Sequence, residues 1–443
     1  MIFSLELILE FFLIYKVWTE KDRTCLFLWF MTAGIMLMPS FKFQVGIPSC
    51  NWMFSIVLLL RVIFLEKNIR EKWQEFPLKN IYALLLIFHF VQPLFVRFES
   101  INLTYFYIIK YIMSTYLYVF LGFCIAPNYN ELKEKKQWFM IWIIVLFVIA
   151  VICWLFTYNF ISNSLNVDSI WSSERAETER GFRVTGPVAS PNVFGYINVL
   201  IALFIYHVKM KSYIKYLLIV AVICNLFFCG TRAPLMGFLV ASGLYSLFIP
   251  KGKLFRVIVT FFICFIVFFY FVGSYEAVSN YVNNFTDLIL TGGENTKGST
   301  TDLREIQLTA ALNYANDNPI WGSGNRYASY LMSDRENSLY NDDLHGSESY
   351  IFFMLIDYGY VYIGIILAYY CCLFVFFFKY LFIKLRVVML AIPTTIAFLT
   401  HLITSRPDNS WQVFMPVIGA CLYMLKYENK KIIKVESIRK KYE

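Results

Sequence analysis

Apolar residues in this chain come in long unbroken blocks rather than in stripes. The blocks at 81–97, 105–125, 138–160, 216–229, 255–271 and 361–378 each run for the length that crosses about 30 Å of hydrocarbon. In lipid, every backbone polar group must be paired within its own segment, so such blocks predict helices. Their continuity excludes the alternating pattern of a β-barrel. Spans are predicted near 2–18, 24–39, 49–65, 81–97, 104–126, 137–160, 191–207, 213–229, 233–249, 254–274, 361–378, 386–404 and 411–425. The first carries Glu6 and Glu10 and lacks the basic start and small-residue cleavage site of a signal peptide. It reads as a start-anchored helix, either spanning or interfacial. The expected fold is all-α: one integral membrane domain over 1–443, a polytopic helical bundle of 12–13 transmembrane helices.

Composition agrees. Apolar residues make up 59% of the chain and charged residues only 16%, against roughly 25% charged in soluble domains. The 10 cysteines fall mostly inside spans, with no CxxC pair or ligand-like array, so they read as packing residues. A net charge of +9 could suggest nucleic acid. The basic residues, however, sit mostly in the connections between spans, and that reading fails.

Their placement fixes an orientation. Lys16/Lys21/Arg23, Lys67/Arg70/Lys72/Lys79, Lys133/Lys135/Lys136, Lys209/Lys211/Lys215, Lys251/Lys253/Arg256 and Lys379/Lys384/Arg386 mark alternate connections. The positive-inside rule puts these, and the basic tail 426–443, in the cytoplasm. Outside remain 159–190, the turn Gly230-Thr231-Arg232, a long segment over 274–346 and the turn 405–409. Lysine almost vanishes there, apart from Lys42 and Lys297, yet arginine persists at Arg97, Arg175, Arg180, Arg183, Arg232, Arg304, Arg326, Arg335 and Arg406. Topology alone would remove both types. The rigid guanidinium fork grips phosphate or carboxylate bidentately, so these arginines point to an anionic ligand at the outer interface. Arg175 and Arg180 lie among Glu174, Glu177 and Glu179 and read as ion-pair partners; Arg183 and Arg232 have no such company in sequence.

The large loop, 275–346, is too long for a passive connection. Within it, 302–314 reads as a short helix, with Asp302 and Glu305 as a capping box and Leu303, Ile306, Ala310 and Tyr314 as its apolar stripe. Arg304 falls off that stripe with Gln307 and Ala311, free to face a cavity. The glycine-rich run 291–300 is a candidate gate. HExxH, the phosphate-loop GxxxxGK and GxSxG are all missing, so a zinc protease, an ATPase and an α/β-hydrolase have no support. The four histidines are too scattered for a metal cluster. His89, His207 and His401 lie in or at the ends of spans and read as hydrogen-bonded structural residues. His345 lies outside.

Four stretches occur in order: Arg183-Val-Thr-Gly186 with Pro191-Asn192-Val-Phe-Gly195; Gly230-Thr231-Arg232; Arg304 followed by Asn318-Pro319-Ile-Trp-Gly322-Ser-Gly324; and Glu348 leading to Asp357-Tyr-Gly359 and on to Gly364. Over 180–365 the chain resembles the O-antigen ligase and Wzy-type O-antigen polymerase superfamily. The resemblance implies an enzyme outside the bacterial cytoplasmic membrane that moves an oligosaccharide from undecaprenyl diphosphate to an acceptor hydroxyl. It implies no cofactor, no metal, and flippase and chain-length regulator proteins as partners. Arg232, with Arg183 and Arg304, would hold the diphosphate as charge grows on the leaving oxygen. Asn192, Arg326, Arg406, Trp321 and Tyr327, and more loosely Tyr330 and Tyr340, are further candidate substrate contacts.

The acceptor hydroxyl also needs a base. Ligases of this family carry histidine at the place eleven before the glycine; here that place holds Glu348. His345 sits one helical turn earlier with the more suitable ordinary pKa, and the choice between the two stays open, as does a mere helix-start role for Glu348. The missing histidine favours polymerase over ligase, of O-antigen or capsular polysaccharide. A flippase or other transporter of lipid-linked glycans is the alternative class. It would favour repeated halves and charges at mid-membrane, for which Arg61, Lys110 and Asp357 are the few candidates.

Overall fold

The computed structural model describes residues 2–37, 50–65, 69–161, 182–188, 190–247, 301–332, 339–344, 346–406 and 410–442, without the side chains of 2–4, 6, 50–52, 301–302 and 428–442. Among these residues, all regular structure is helical. The helices are α1 (Ile2–Thr19), α2 (Arg23–Met36), α3 (Cys50–Leu65), α4 (Ile69–Glu75), α5 (Lys79–Phe95), α6 (Ile101–Ser114), α7 (Leu117–Cys124), α8 (Tyr129–Glu134) and α9 (Lys136–Leu155). Then follow α10 (Pro191–His207), α11 (Ser212–Phe228), α12 (Arg232–Leu247), α13 (Thr301–Asp317), α14 (Tyr327–Leu331), α15 (Tyr350–Lys379), α16 (Leu385–Thr404) and α17 (Ser410–Tyr442). The expected span at 254–274, the gate at 291–300, and Arg175, Arg180, Arg335 and His345 lie outside the described residues.

Among the described residues, four stretches are long and apolar enough to cross a membrane: Ile101–Cys124, Lys136–Leu155, Tyr350–Lys379 and Leu385–Thr404. A fifth would be α4 with α5, bent by 104°. α2, residues 53–65 of α3, α10 and α11 are shorter apolar helices. Phe64, Leu94, Phe156, Leu217, Leu367 and Val375 are each well exposed, which suits a surface wetted by lipid rather than water. The chain is a polytopic, all-α membrane protein.

The structure corrects two boundaries. The helix expected at 361–378 begins at Tyr350, because the apolar run continues through a break at Gly359 that ends the helical geometry without ending the element. The span expected at 104–126 is two helices, interrupted where Thr115 leaves helical geometry. Arg61, considered as a charge at depth, donates to the carbonyl oxygen of Val17 at 3.0 Å and also to those of Trp18 and Glu20. It caps the orphan carbonyls at the end of α1, so its role is structural.

Helices in lipid gain little from burying apolar surface against one another, so close backbone approach through small residues holds them together. That is how α17 meets α7. A Cβ on Gly419 would lie 2.0 Å from the Val119 carbonyl oxygen, and one on Gly122 would lie 2.3 Å from the carbonyl oxygen of Pro416. The segment between α12 and α15 has a small core of its own, where Ala310, Ala311, Ala315, Ala328, Leu331 and Leu344 pack with Phe353, Leu355 and Ile356 of α15.

Among the described residues the cysteines are free: Cys124, Cys153, Cys229 and Cys421 are buried as packing residues, whereas Cys371 and Cys372 are exposed.

Gly419→Val and Gly122→Val should each separate α7 from α17, at a cost above the roughly 1–3 kcal/mol of ordinary overpacking because backbone blocks the new side chain. Thermal melts of the detergent-solubilised protein, followed by size-exclusion chromatography, check this. Gly243→Ala, whose Cβ would meet nothing within 4 Å, should melt no lower than the parent.

Candidate functional site

The site is built around the break in α15. At Gly359 the backbone turns to φ 73, ψ −172, which strips carbonyls before it of their helical partners. The loop that follows α13 supplies replacements. Ser323 N donates to the Ile356 carbonyl at 2.8 Å and Gly324 N to that of Asp357 at 3.1 Å, while Tyr360 N donates to the Pro319 carbonyl at 2.9 Å. The buried Gln92 of α5 closes the junction, its Nε2 donating at 2.8 Å to the carbonyls of both Trp321 and Asp357. Backbone meets backbone here. A Cβ on Gly322 would lie 2.4 Å from Tyr358 N, and one on Gly359 would lie 2.8 Å from the Pro319 carbonyl oxygen. The two motifs read from the sequence, Asn318 to Gly324 and Asp357 to Gly359, are therefore the two halves of one joint.

Asp357, the other candidate for a charge at depth, is used in the same joint. Its Oδ2 accepts from Arg326 N at 2.9 Å and its Oδ1 from Ala328 N at 2.7 Å, satisfying the first amides of α14.

The arginine motifs meet at a second junction. Gly230 has φ 61, and a Cβ there would lie 2.9 Å from Arg183 Cγ, so the stem of Arg183 runs across the turn that carries Arg232. Val184 N donates to the Phe228 carbonyl at 2.9 Å, fixing that strand of chain against the end of α11. Asn159 secures it, donating from Nδ2 to the Arg183 carbonyl at 2.9 Å and accepting from Thr185 N at 3.1 Å. Arg183 is buried and Arg232 half-buried, the latter opening α12.

α10 ties this junction to Glu348. Pro191 is its first residue, where a missing N–H costs nothing. Asn192 Nδ2 donates to Glu348 Oε2 at 3.2 Å. One turn on, a Cβ on Gly195 would lie 2.5 Å from Pro234 of α12. Next to it, Tyr196 donates from Oη to the carbonyl of Ala233, the residue after Arg232, at 3.2 Å, and pairs with Thr404 Oγ1 at 3.1 Å. The N-termini of α10, α12 and α15 thus gather on one side of the bundle. Their summed dipoles add positive potential to that of Arg183 and Arg232. Glu348 itself lies just ahead of α15, whose N-cap is Ser349, a place that also suits the helix-start role left open for it.

Other candidates are placed differently. Of the apolar stripe expected on α13, Ala310 and Tyr314 do pack in the small core, but the rest of the buried face differs. Ile306 is 47% exposed, while Gln307, Ala311 and Ala315 are fully buried. Small alanines allow α13 to lie close on α15, and that closeness selects the face. Arg304 stands at the end of this buried row, donating from Nη1 to Gln307 Oε1 at 3.0 Å. Arg326 pairs with Glu99 at 3.0 Å and lies 4.0 Å from the centre of the Tyr107 ring, so it closes a local ion pair. Glu99 also accepts from Tyr330 Oη at 3.1 Å, which raises the pKa of that phenol. Trp321 is stacked on Phe95 at 4.4 Å with Phe88 at 5.5 Å, and Tyr327 meets Phe98 edge-on at 5.3 Å. These rings pack the joint and offer little free face to a sugar. Arg406 lies 3.4 Å over the Phe353 ring, near the start of α15.

Of the histidines, His89 Nε2 pairs with Tyr362 Oη at 3.0 Å and His207 Nδ1 with Tyr129 Oη at 2.9 Å, as expected of structural residues. His401 stacks on Tyr196 at 3.9 Å and 10°, fully buried, with the Arg406 backbone as its hydrogen-bond partner. Tyr196 is the residue that the sequence reading missed. One tyrosine inside an apolar span, in a chain with 31, carries no signal of its own. Its one clue was its spacing of four from Asn192.

Residues 217–361 match the family model described as O-antigen ligase. The match supports the O-antigen ligase/Wzy superfamily. It takes in Arg232, Arg304, the whole joint and Glu348, and leaves Arg183 and Asn192 just upstream. No curated protein matches the chain.

Gly359→Ala and Gly322→Ala each place a side chain at positive φ against backbone. Strain of about 1–2 kcal/mol from φ alone, plus the clash, should open the joint. Limited proteolysis should then cut the 318–326 segment in both variants and spare Gly364→Ala, whose Cβ would meet nothing within 4 Å.

Proposed function

We propose that this protein is a membrane glycosyltransferase that polymerises undecaprenyl-diphosphate-linked oligosaccharide repeats of O-antigen or capsule on the outer face of the cytoplasmic membrane. The coarser reading, an enzyme of the O-antigen ligase/polymerase type, rests on the family match. The single observation that carries the finer chemistry is the Asn192–Glu348 hydrogen bond. It ties a carboxylate to α10, which packs against the first turn of α12 beside Arg232, the turn that the stem of Arg183 crosses.

The chemistry divides between the two groups. Glu348 takes the proton of the acceptor hydroxyl as its oxygen bonds to the anomeric carbon. The bond from that carbon to the diphosphate oxygen breaks, and its electron pair leaves with the lipid diphosphate. Arg232 and Arg183, helped by the helix N-termini, stabilise that charge in a partly dehydrated cleft. Asn192 turns the carboxylate towards the acceptor. Arg304, which bonds to Gln307 on α13, is the third arginine assigned to the diphosphate. His345 remains the other candidate base, and its role is separable by substitution.

A ligase is the second reading, favoured by the description of the matched family. A deletion strain separates the two. Surface glycan reduced to a single attached repeat supports the polymerase; long lipid-linked chains left unattached support the ligase. Flippase and chain-length regulator proteins are the partners proposed for either.

In complementation and in a purified assay, Arg232→Ala should lose about 10²–10³-fold in kcat, as for removal of an oxyanion donor. Glu348→Gln should lose roughly 10²–10⁴-fold. Full activity in both variants would falsify the site. Tyr196→Phe keeps the ring stacked on His401 but loses the bonds to Ala233 and Thr404. It should lower kcat by about fivefold to tenfold, with KM and melting temperature little changed. A purely structural tyrosine would move the melting temperature instead.

A further inference from the structure

Beyond the arginine-rich cleft, a cavity of about 350 Å³ opens on the external segment, lined by Glu305, Ile306, Thr309, Ala310, Asn313 and Asp343. Five of these lie on one strip of α13, where Glu305, Thr309 and Asn313 follow at spacings of four with Ile306 and Ala310 beside them. The opposite wall is Asp343, in the short turn Asp342–Leu344 that leads through Ser347 to Glu348. That wall is held in place: Asp343 N donates to Asn341 Oδ1 at 2.9 Å, and Asn341 Nδ2 donates to Tyr314 Oη of α13 at 3.2 Å.

We propose that this cavity is a saccharide subsite, taking a neutral or amino-bearing pyranose of the glycan that enters beside Glu348. The inference rests on reading the protein as a glycan-transferring enzyme. Two carboxylates are acceptor-only groups, and they pair strongly with vicinal hydroxyls or an ammonium. Asn313 and Thr309 add both donors and acceptors. Ile306, 47% exposed on a helix whose buried face lies elsewhere, offers an apolar patch for the C–H face of a sugar ring.

The lining also says what does not bind. Two carboxylates repel a diphosphate, so the anionic end of the donor stays with Arg183 and Arg232, neither of which lines this cavity. A lone divalent cation suits the cavity poorly. Calcium takes six to eight oxygens at about 2.3–2.6 Å, and the described residues hold no group of three or more metal-ligating side chains. A volume at the low end for a ligand pocket suits one or two sugar rings.

The test uses the full chain in detergent and, as probe, the soluble oligosaccharide released by mild acid from the organism's own lipid-linked pool. Saturation-transfer NMR should show saturable binding to the parent protein and to Arg232→Ala. Glu305→Ala combined with Asp343→Ala should weaken binding at least tenfold and raise the KM for soluble acceptor by a similar factor, with kcat and the KM for lipid-linked donor unchanged. Both residues are exposed, so the double variant should stay folded and monodisperse. Unchanged binding in the double variant, no binding to the parent, or binding that vanishes in EDTA overturns the subsite. A raised donor KM in place of the acceptor KM would assign the bound ring to the donor glycan and overturn the acceptor placement. Full activity of Arg232→Ala and Glu348→Gln would instead sink the functional reading itself, a separate result.

Discussion

A helix broken inside a membrane protein leaves carbonyls and amides that lipid cannot satisfy, and this protein answers that constraint at Gly359. The loop from Asn318 to Gly324 accepts and donates the bonds that α15 forfeits, while Gln92 of α5 bonds to both partners. The exchange works only where two backbones touch, and Gly322 and Gly359 allow it. The joint sets where α14 begins, through the Asp357 carboxylate.

The charged groups are sorted by sign. Arg183 and Arg232 gather with the N-termini of α10 and α12, while Glu305 and Asp343 face each other across the cavity on α13. Glu348 is held by Asn192 on the helix that also packs against α12. In the proposed reaction the group that loses a proton is met by that carboxylate and the group that gains charge by the arginines.

Tyr196 shows how packing recruits residues of no evident chemical character. It reaches Ala233 beside Arg232 and Thr404 of α16, and carries a buried imidazole on its ring. Asn192, one turn earlier on the same helix, reaches the carboxylate. One face of α10 thus couples the position of a base to that of an arginine, which is why the first turn of this helix is buried throughout.

The sequence by itself determined the all-helical membrane fold, because continuous apolar runs of span length leave the backbone no other way to pair in lipid. It also brought out the arginine turns, the glycines of the joint and Glu348, since each is a departure in residue type from the apolar background. Only the tertiary structure decided which of them act together. Arg326 and Arg232 look alike in a string of letters, and the neighbour that neutralises Arg326 is Glu99, far away in the chain. On α13 the apolar stripe and the buried face share Ala310 but part at Ile306: hydropathy prefers Ile306, whereas close approach to α15 requires alanine. Pairing, burial and the partner of each charge depend on distances between segments, and a linear pattern of residues does not contain those distances.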